Sequence, residues 1–145
     1  MISLSFAKNN ILIRGHGNKH IFDPVRKKWF LLSPEEWVRQ NILHYLLGQL
    51  QYPGSLIAVE KEVKLGELRK RCDIVIYNPP SQPWMIIECK EMKVNLNNHV
   101  IDQVLRYHIS LPATYLVITN GIYTYGFVKK ENAFVEIDKF PDFER

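Results

Sequence analysis

The chain has 145 residues, of which 46% are hydrophobic and 23% charged, a balance that fits one folded domain over residues 1–145 and excludes a disordered chain. A formal net charge of +4 and a pI of about 9.1 are compatible with a phosphate-bearing partner without requiring one. Two cysteines with no CxxC pair exclude a disulfide-rich secreted scaffold, and no apolar run approaches the roughly 18–20 residues that span a bilayer.

In chain order, Ile2 to Arg14 mixes β-formers with Lys8-Asn9-Asn10 and predicts one hairpin. The opening MISLSFAKNNILIRG lacks the basic start and apolar core of a signal peptide, so the expected compartment is the cytoplasm, where both thiols stay reduced. Ser33, Pro34 and Glu36 stand as an N-cap, a first-turn proline and an acid at the third helical position, and predict a helix over Pro34–Leu50. Val38, Ile42, Leu46 and Leu50 recur every four residues and form its core-facing stripe. Strands follow at Gly54–Leu65, Cys72–Tyr77 and Pro83–Lys90, the last two apolar on both faces and therefore covered on both sides. Asn97 or Asn98 caps a second helix whose stripe is Val100, Ile101, Val104, Leu105 and Ile109; Pro112 ends it. Thr114–Gly121 is a further apolar strand, and IYTYGFVKK with AFVEIDKF predicts a final edge hairpin. The expected fold class is α/β, with a mixed central β-sheet flanked by helices.

The stretch CDIVIYNPPSQPWMIIECK ends in charges at both strand termini. A hairpin centred between Pro80 and Ser81 sets Asp73 opposite Glu88, and like charges directly across a strand pair repel. Lys90 shares the face of Glu88, because strand side chains alternate. A divalent cation between the two carboxylates would remove the repulsion, and oxygen ligands suit Mg²⁺ or Mn²⁺. Two acids, such a metal and a lysine suit phosphodiester hydrolysis: the metal polarises the phosphoryl oxygen and acidifies water, and lysine orients that water or neutralises charge. The same register sets Cys72 opposite Cys89 as packed, reduced thiols on the other face.

The spacing D-x14-E-x-K between two amphipathic helices resembles the PD-(D/E)xK nuclease superfamily. The ordered set FDPVRKKWFLLSPEEWVRQNILHYL, YPGSLIAVEKEV, RCDIVIY, IECK, DQVLRYH and YLVITNG resembles, more specifically, the N-terminal nuclease domain of type I restriction enzyme R subunits, over roughly Asp23 to Gly121. The resemblance implies a restriction-endonuclease-like core and a DNA substrate. It implies Asp73, Glu88 and Lys90 as the catalytic set, with Asp73, Glu88 and the Cys89 backbone carbonyl holding Mg²⁺ or Mn²⁺. It adds Glu36 as the acid of the first helix, binding metal directly or through water. Gln103 and Tyr107 match a Q-x3-Y pattern and share one helix face. R subunits carry a motor region after this domain, whereas no GxxxxGK[ST] motif appears here. The expectation is a stand-alone nuclease domain, with a homodimer and a separate recognition or motor partner both open.

Other readings stand beside these. Ser33 and Glu36 form a capping pair whether or not Glu36 also serves the site. Gln103 and Tyr107 also fit a plain amphipathic helix edge. Arg69, Lys70 and Arg71 are either a solvated turn or a DNA-backbone contact, with Arg71 the best placed. The five histidines match no zinc spacing and read as surface or core, and the three tryptophans as packing residues. A non-catalytic nucleic-acid-binding module with the same fold is the alternative function, and an interaction domain with surface acids is a third.

Overall fold

A computed structural model describes residues 1–4 and 10–143. Its strands are β1 (Ile13–Arg14), β2 (His20–Asp23), β3 (Lys28–Leu31), β4 (Ile57–Leu65), β5 (Leu68–Asn78), β6 (Gln82–Cys89), β7 (Tyr115–Thr119), β8 (Thr124–Lys130) and β9 (Ala133–Ile137); its helices are α1 (Pro34–Gly48) and α2 (Asn98–His108). A six-stranded sheet runs β4-β5-β6-β7-β8-β9, and a small sheet runs β1-β2-β3. Among the described residues only β6 and β7 pair in parallel, across the α2 crossover; the other ladders are antiparallel, so the fold is α/β with a mixed central sheet.

Both helices start where side chains can satisfy their free N–H groups. Ser33 Oγ accepts from the Glu36 N–H at 3.0 Å, and Asn97 Oδ1 accepts from the Val100 N–H at 3.0 Å. Each helix covers one face of the sheet. Val38, Ile42, Leu43 and Leu46 of α1 pack on Ile74, Ile76, Met85, Ile87 and Val117. Ile101 and Val104 of α2 pack on Val75, Ile86, Leu116 and Ile118. Alternation along β5, β6 and β7 thus feeds two cores, which explains strands that are apolar on both faces.

The early hairpin expected in Ile2–Arg14 lies partly outside the described residues. Within them, β1 pairs with β2, and Ile2 bridges to Thr124. The hairpin β2–β3 was not expected. Its turn is built by Asp23, whose Oδ1 accepts the N–H groups of Val25 and Arg26, both at 2.8 Å.

In β5–β6 the expected register holds for Ile74–Ile87, Val75–Ile86 and Ile76–Met85, then slips by one residue between Ile76 and Tyr77. The two cysteines depart from expectation. Cys72 packs with the α2 core and Cys89 with the α1 core, so they lie on opposite faces; both are free and buried. The strand loses its regular alternation at Asp73, opposite Glu60, whose φ is 51°. Arg69, Lys70 and Arg71 lie in β5 itself rather than in a turn. No helix among the described residues is long and apolar enough to cross a membrane.

The α1 stripe carries the first core, so Leu46→Ala is expected to destabilise the fold by about 2–5 kcal/mol, measured by urea unfolding. A loss below about 1 kcal/mol would show that α1 is peripheral to the core.

Candidate active site

β5 and β6 part at Asp73. The last regular ladder pair before the site is Ile74–Ile87. Beyond it the Asp73 side chain, not a backbone carbonyl, takes the Cys89 N–H, with Oδ2 accepting at 2.8 Å. Its other oxygen, Oδ1, accepts from Arg39 Nη2 at 3.0 Å. Asp73 therefore joins the end of the sheet to α1. Glu60 faces this break in a left-handed conformation that costs a non-glycine residue on the order of 1–3 kcal/mol. Its carboxylate meets Arg71 at 3.1 Å and Arg39 at 3.4 Å.

Glu88, near the end of β6, leans toward α2. Its Oε1 lies 2.9 Å from His108 Nε2. The Glu88 carboxyl is raised to about 7, chiefly by burial; the His108 hydrogen bond opposes the rise and the neighbouring Asp73 carboxylate adds to it. Burial likewise raises the Cys72 thiol to about 12, helped by Glu88 and Asp73. The two acids are thus electrostatic neighbours, and each has its own cationic or hydrogen-bonding partner: Arg39 for Asp73, His108 for Glu88.

Lys90 follows β6 directly, and its N–H donates to the Thr119 carbonyl at 2.8 Å. A cleft of about 360 Å³ brings together Arg71, Glu88, Lys90, Gln103, Tyr107 and His108. Gln103 and Tyr107 therefore face the same space as Glu88 and Lys90, as their spacing on one helix face requires. The Lys70 ammonium lies 3.6 Å from the Tyr107 ring centroid, a cation–π contact, while Arg69 projects into solvent near Glu62.

Glu36 sits apart from this cleft. Its carboxylate accepts from Arg39 Nη1 at 2.7 Å, from Arg26 Nη2 at 3.2 Å and from Gln40 Nε2 at 3.1 Å. The first-helix acid that feels the Asp73 charge is Glu35. Burial raises its carboxyl, the Asp73 charge raises it further, and Arg39 and Lys90 oppose both. Sequence reasoning missed three residues: Glu35, Arg39 and His108. His108 was read as ordinary core or surface; it is buried, as expected, but it also bonds Glu88. The available signals were the i to i+4 spacing of Glu35 and Arg39 and the adjacency of His108 to the Q-x3-Y pattern.

Asp23, Arg26, Glu36, Arg39 and Gln40 form one buried polar network beneath the site. Gln40 Nε2 donates to Asp23 Oδ2 at 2.9 Å, and Arg26 Nε donates to the same oxygen at 2.7 Å. Burial alone would raise the Asp23 carboxyl, but hydrogen bonds from Arg26 and Gln40 outweigh it and hold it below the ordinary 3.8. A carboxyl depressed in the folded state stabilises the fold when ionised. That contribution is complete above 3.8 and is lost as pH falls through the folded-state value. Asp23→Asn should therefore be less stable than the parent at neutral pH, and the gap should narrow on acidification below that range. Thermal melts across pH check this; a gap that widens in acid would contradict it.

No curated protein matches the chain. A family model, the type I restriction enzyme R protein N terminus, matches residues 34–141, a span holding α1, the whole six-stranded sheet, α2 and every residue lining the cleft. The chain therefore belongs to the family of type I restriction enzyme R protein N termini.

Proposed function

We propose that this chain is a metal-dependent deoxyribonuclease that hydrolyses DNA phosphodiester bonds. The observation that carries the reading is the cleft in which Glu88, Lys90, Arg71, Gln103 and Tyr107 converge. Asp73 does not line this cleft; it lies next to Glu88 in charge, and its carboxylate takes the Cys89 N–H in place of a ladder hydrogen bond.

The donor set fits a hard divalent cation. Asp73, Glu88 and the Cys89 carbonyl offer oxygens; burial is the main reason the Glu88 carboxyl is raised, and the smaller push from the Asp73 charge is the part that a cation relieves. These three groups would hold Mg²⁺ or Mn²⁺. Such an ion, when bound, would polarise the scissile phosphoryl group and acidify water. Lys90 orients the attacking water or neutralises charge that develops on the phosphate. Gln103 and Tyr107 hold the backbone beside the scissile bond. Arg71, with Lys70 and Arg69 behind it on β5, attracts the DNA strand. Glu36 serves the site by fixing Arg39, and reaches a cation only by releasing its guanidinium partners; Glu35 is the α1 acid that feels the Asp73 charge. The reading also takes residues 1–145 as a single nuclease domain in the cytoplasm. A homodimer, or a separate recognition or motor partner, would supply the second cut or the target choice.

One observation favours a second reading, a nucleic-acid-binding module without catalysis. Arg39 already neutralises Asp73, and His108 already engages Glu88. Calorimetric titration with Mn²⁺, followed by incubation with supercoiled plasmid, separates the two. The parent should bind Mn²⁺ and nick the plasmid, and Glu88→Ala should do neither. Lys90→Ala should keep the metal and nick at least about 100-fold more slowly. Metal binding with no nicking by the parent would favour the module. Equal nicking by the parent and Glu88→Ala would remove the active site from this cleft.

A further inference from the structure

We propose that Cys72, Glu88 and His108 form a site for a thiophilic divalent cation of the zinc class, distinct in ligand chemistry from the oxygen site and sharing Glu88 with it. One ligand atom from each residue lies within 4.8 Å of the other two. Three different elements supply them: β5, β6 and the last turn of α2. A tetrahedral ion with bonds of about 2.0–2.3 Å spans ligand atoms roughly 3.3–3.8 Å apart, so a small side-chain contraction closes the set.

The imidazole is oriented for coordination. His108 Nδ1 lies 3.0 Å from the Val104 carbonyl, which can only accept, so Nδ1 carries the hydrogen. Nε2 then points at Glu88, 2.9 Å away. A ring nitrogen anchored on a backbone carbonyl, with its partner nitrogen aimed at a carboxylate, is the outer-shell arrangement that metal-binding histidines use. Cys72 Sγ has only a weak contact, 3.8 Å from the Lys70 carbonyl. Coordination would displace its proton and balance a dication with one thiolate and one carboxylate. Nitrogen and sulfur ligands select zinc-class ions over Mg²⁺. Glu88 and His108 line the cleft that holds Lys90 and Gln103, so two of the three ligands are open to a solvent-borne ion. An ion there takes the Glu88 carboxylate away from the catalytic cation. This second consequence, inhibition by zinc, rests on the nuclease reading; the binding site itself does not.

Co²⁺ titration of the intact chain tests the site without reference to activity. A thiolate ligand gives a near-ultraviolet sulfur-to-cobalt charge-transfer band, and four-coordination gives intense visible bands. Both are expected in the parent, and Zn²⁺ should abolish both. Cys72→Ser should lose the charge-transfer band and weaken Co²⁺ binding at least tenfold. Cys89→Ser, altered on the other face of the sheet, should keep the band. Absence of the band in the parent, or its loss in Cys89→Ser alone, overturns the site. Plasmid nicking in Mg²⁺ is then measured with and without Zn²⁺, each protein's zinc-free rate serving as its own reference. Zinc should slow the parent at least tenfold and Cys72→Ser less than twofold. Equal nicking by the parent with and without zinc overturns the competition for Glu88. A parent that shows the cobalt spectrum yet never nicks in Mg²⁺ overturns the nuclease reading and leaves the cation site standing.

Discussion

The Arg39 guanidinium is the tie on which the site depends. It leaves α1, passes almost wholly out of solvent, and reaches Asp73 at 3.0 Å, Glu36 at 2.7 Å and Glu35 at 3.1 Å. Burial alone would lower its affinity for the proton; the hydrogen bond it donates to Asp73 and the charge of Glu36 outweigh this and hold it charged. A buried charge left wholly unpaired costs about 3–5 kcal/mol, and the several carboxylates around Arg39 keep it from that state. A planar fork with five donors can serve several carboxylates at once, which a lysine ammonium cannot do with the same geometry. Through it the small sheet, the first helix and the parting strands are held in one relative placement. Asp23 and Arg26 extend the same network back to β2 and its turn.

The opposite side of the site is held by shorter-range structure. Glu88 and His108 are twenty residues apart in sequence, joined by one loop and one helix. Because β6 and β7 run parallel, α2 must cross between them, and that crossing carries Gln103, Tyr107 and His108 over the end of β6. The catalytic reading thus follows from topology as much as from residue type. A parallel pair in an otherwise antiparallel sheet needs a crossover, here a helix that returns past the strand carrying Glu88 near its end, with Lys90 just beyond.

Much of this was legible in the sequence because apolar strands ending in charges need a reason for the charges. The register of β5 against β6 followed from the Pro-rich tip, and three ladder pairs obey it. The tip itself slips by one residue, and alternation fails at Asp73, so the prediction for Cys72 and Cys89 went wrong just where the strand stops being regular. The i to i+4 spacing of Glu35 and Arg39 was the one local signal at Arg39, and it carried nothing of the contact with Asp73, thirty-four residues away. Glu35 and Glu36 differ by one step of helix rotation, and only the packing of α1 decides which of them faces the strands. The β2–β3 hairpin was missed because its turn runs through Pro24 to Lys27, with Lys27 at φ 55° where a glycine or asparagine would have announced it.

The backbone kink at Glu60 has a second consequence, far from chemistry. β4 is one outer strand of an open sheet, and an unbroken outer strand is a template on which another chain can add. Glu60 turns out of the ladder between Val59 and Lys61, dividing a nine-residue edge into two short pieces. Lys61, Glu62 and Lys64 then place charge along the second piece. The irregularity that lets Asp73 leave its ladder therefore also makes this rim a poor surface for edge-to-edge aggregation.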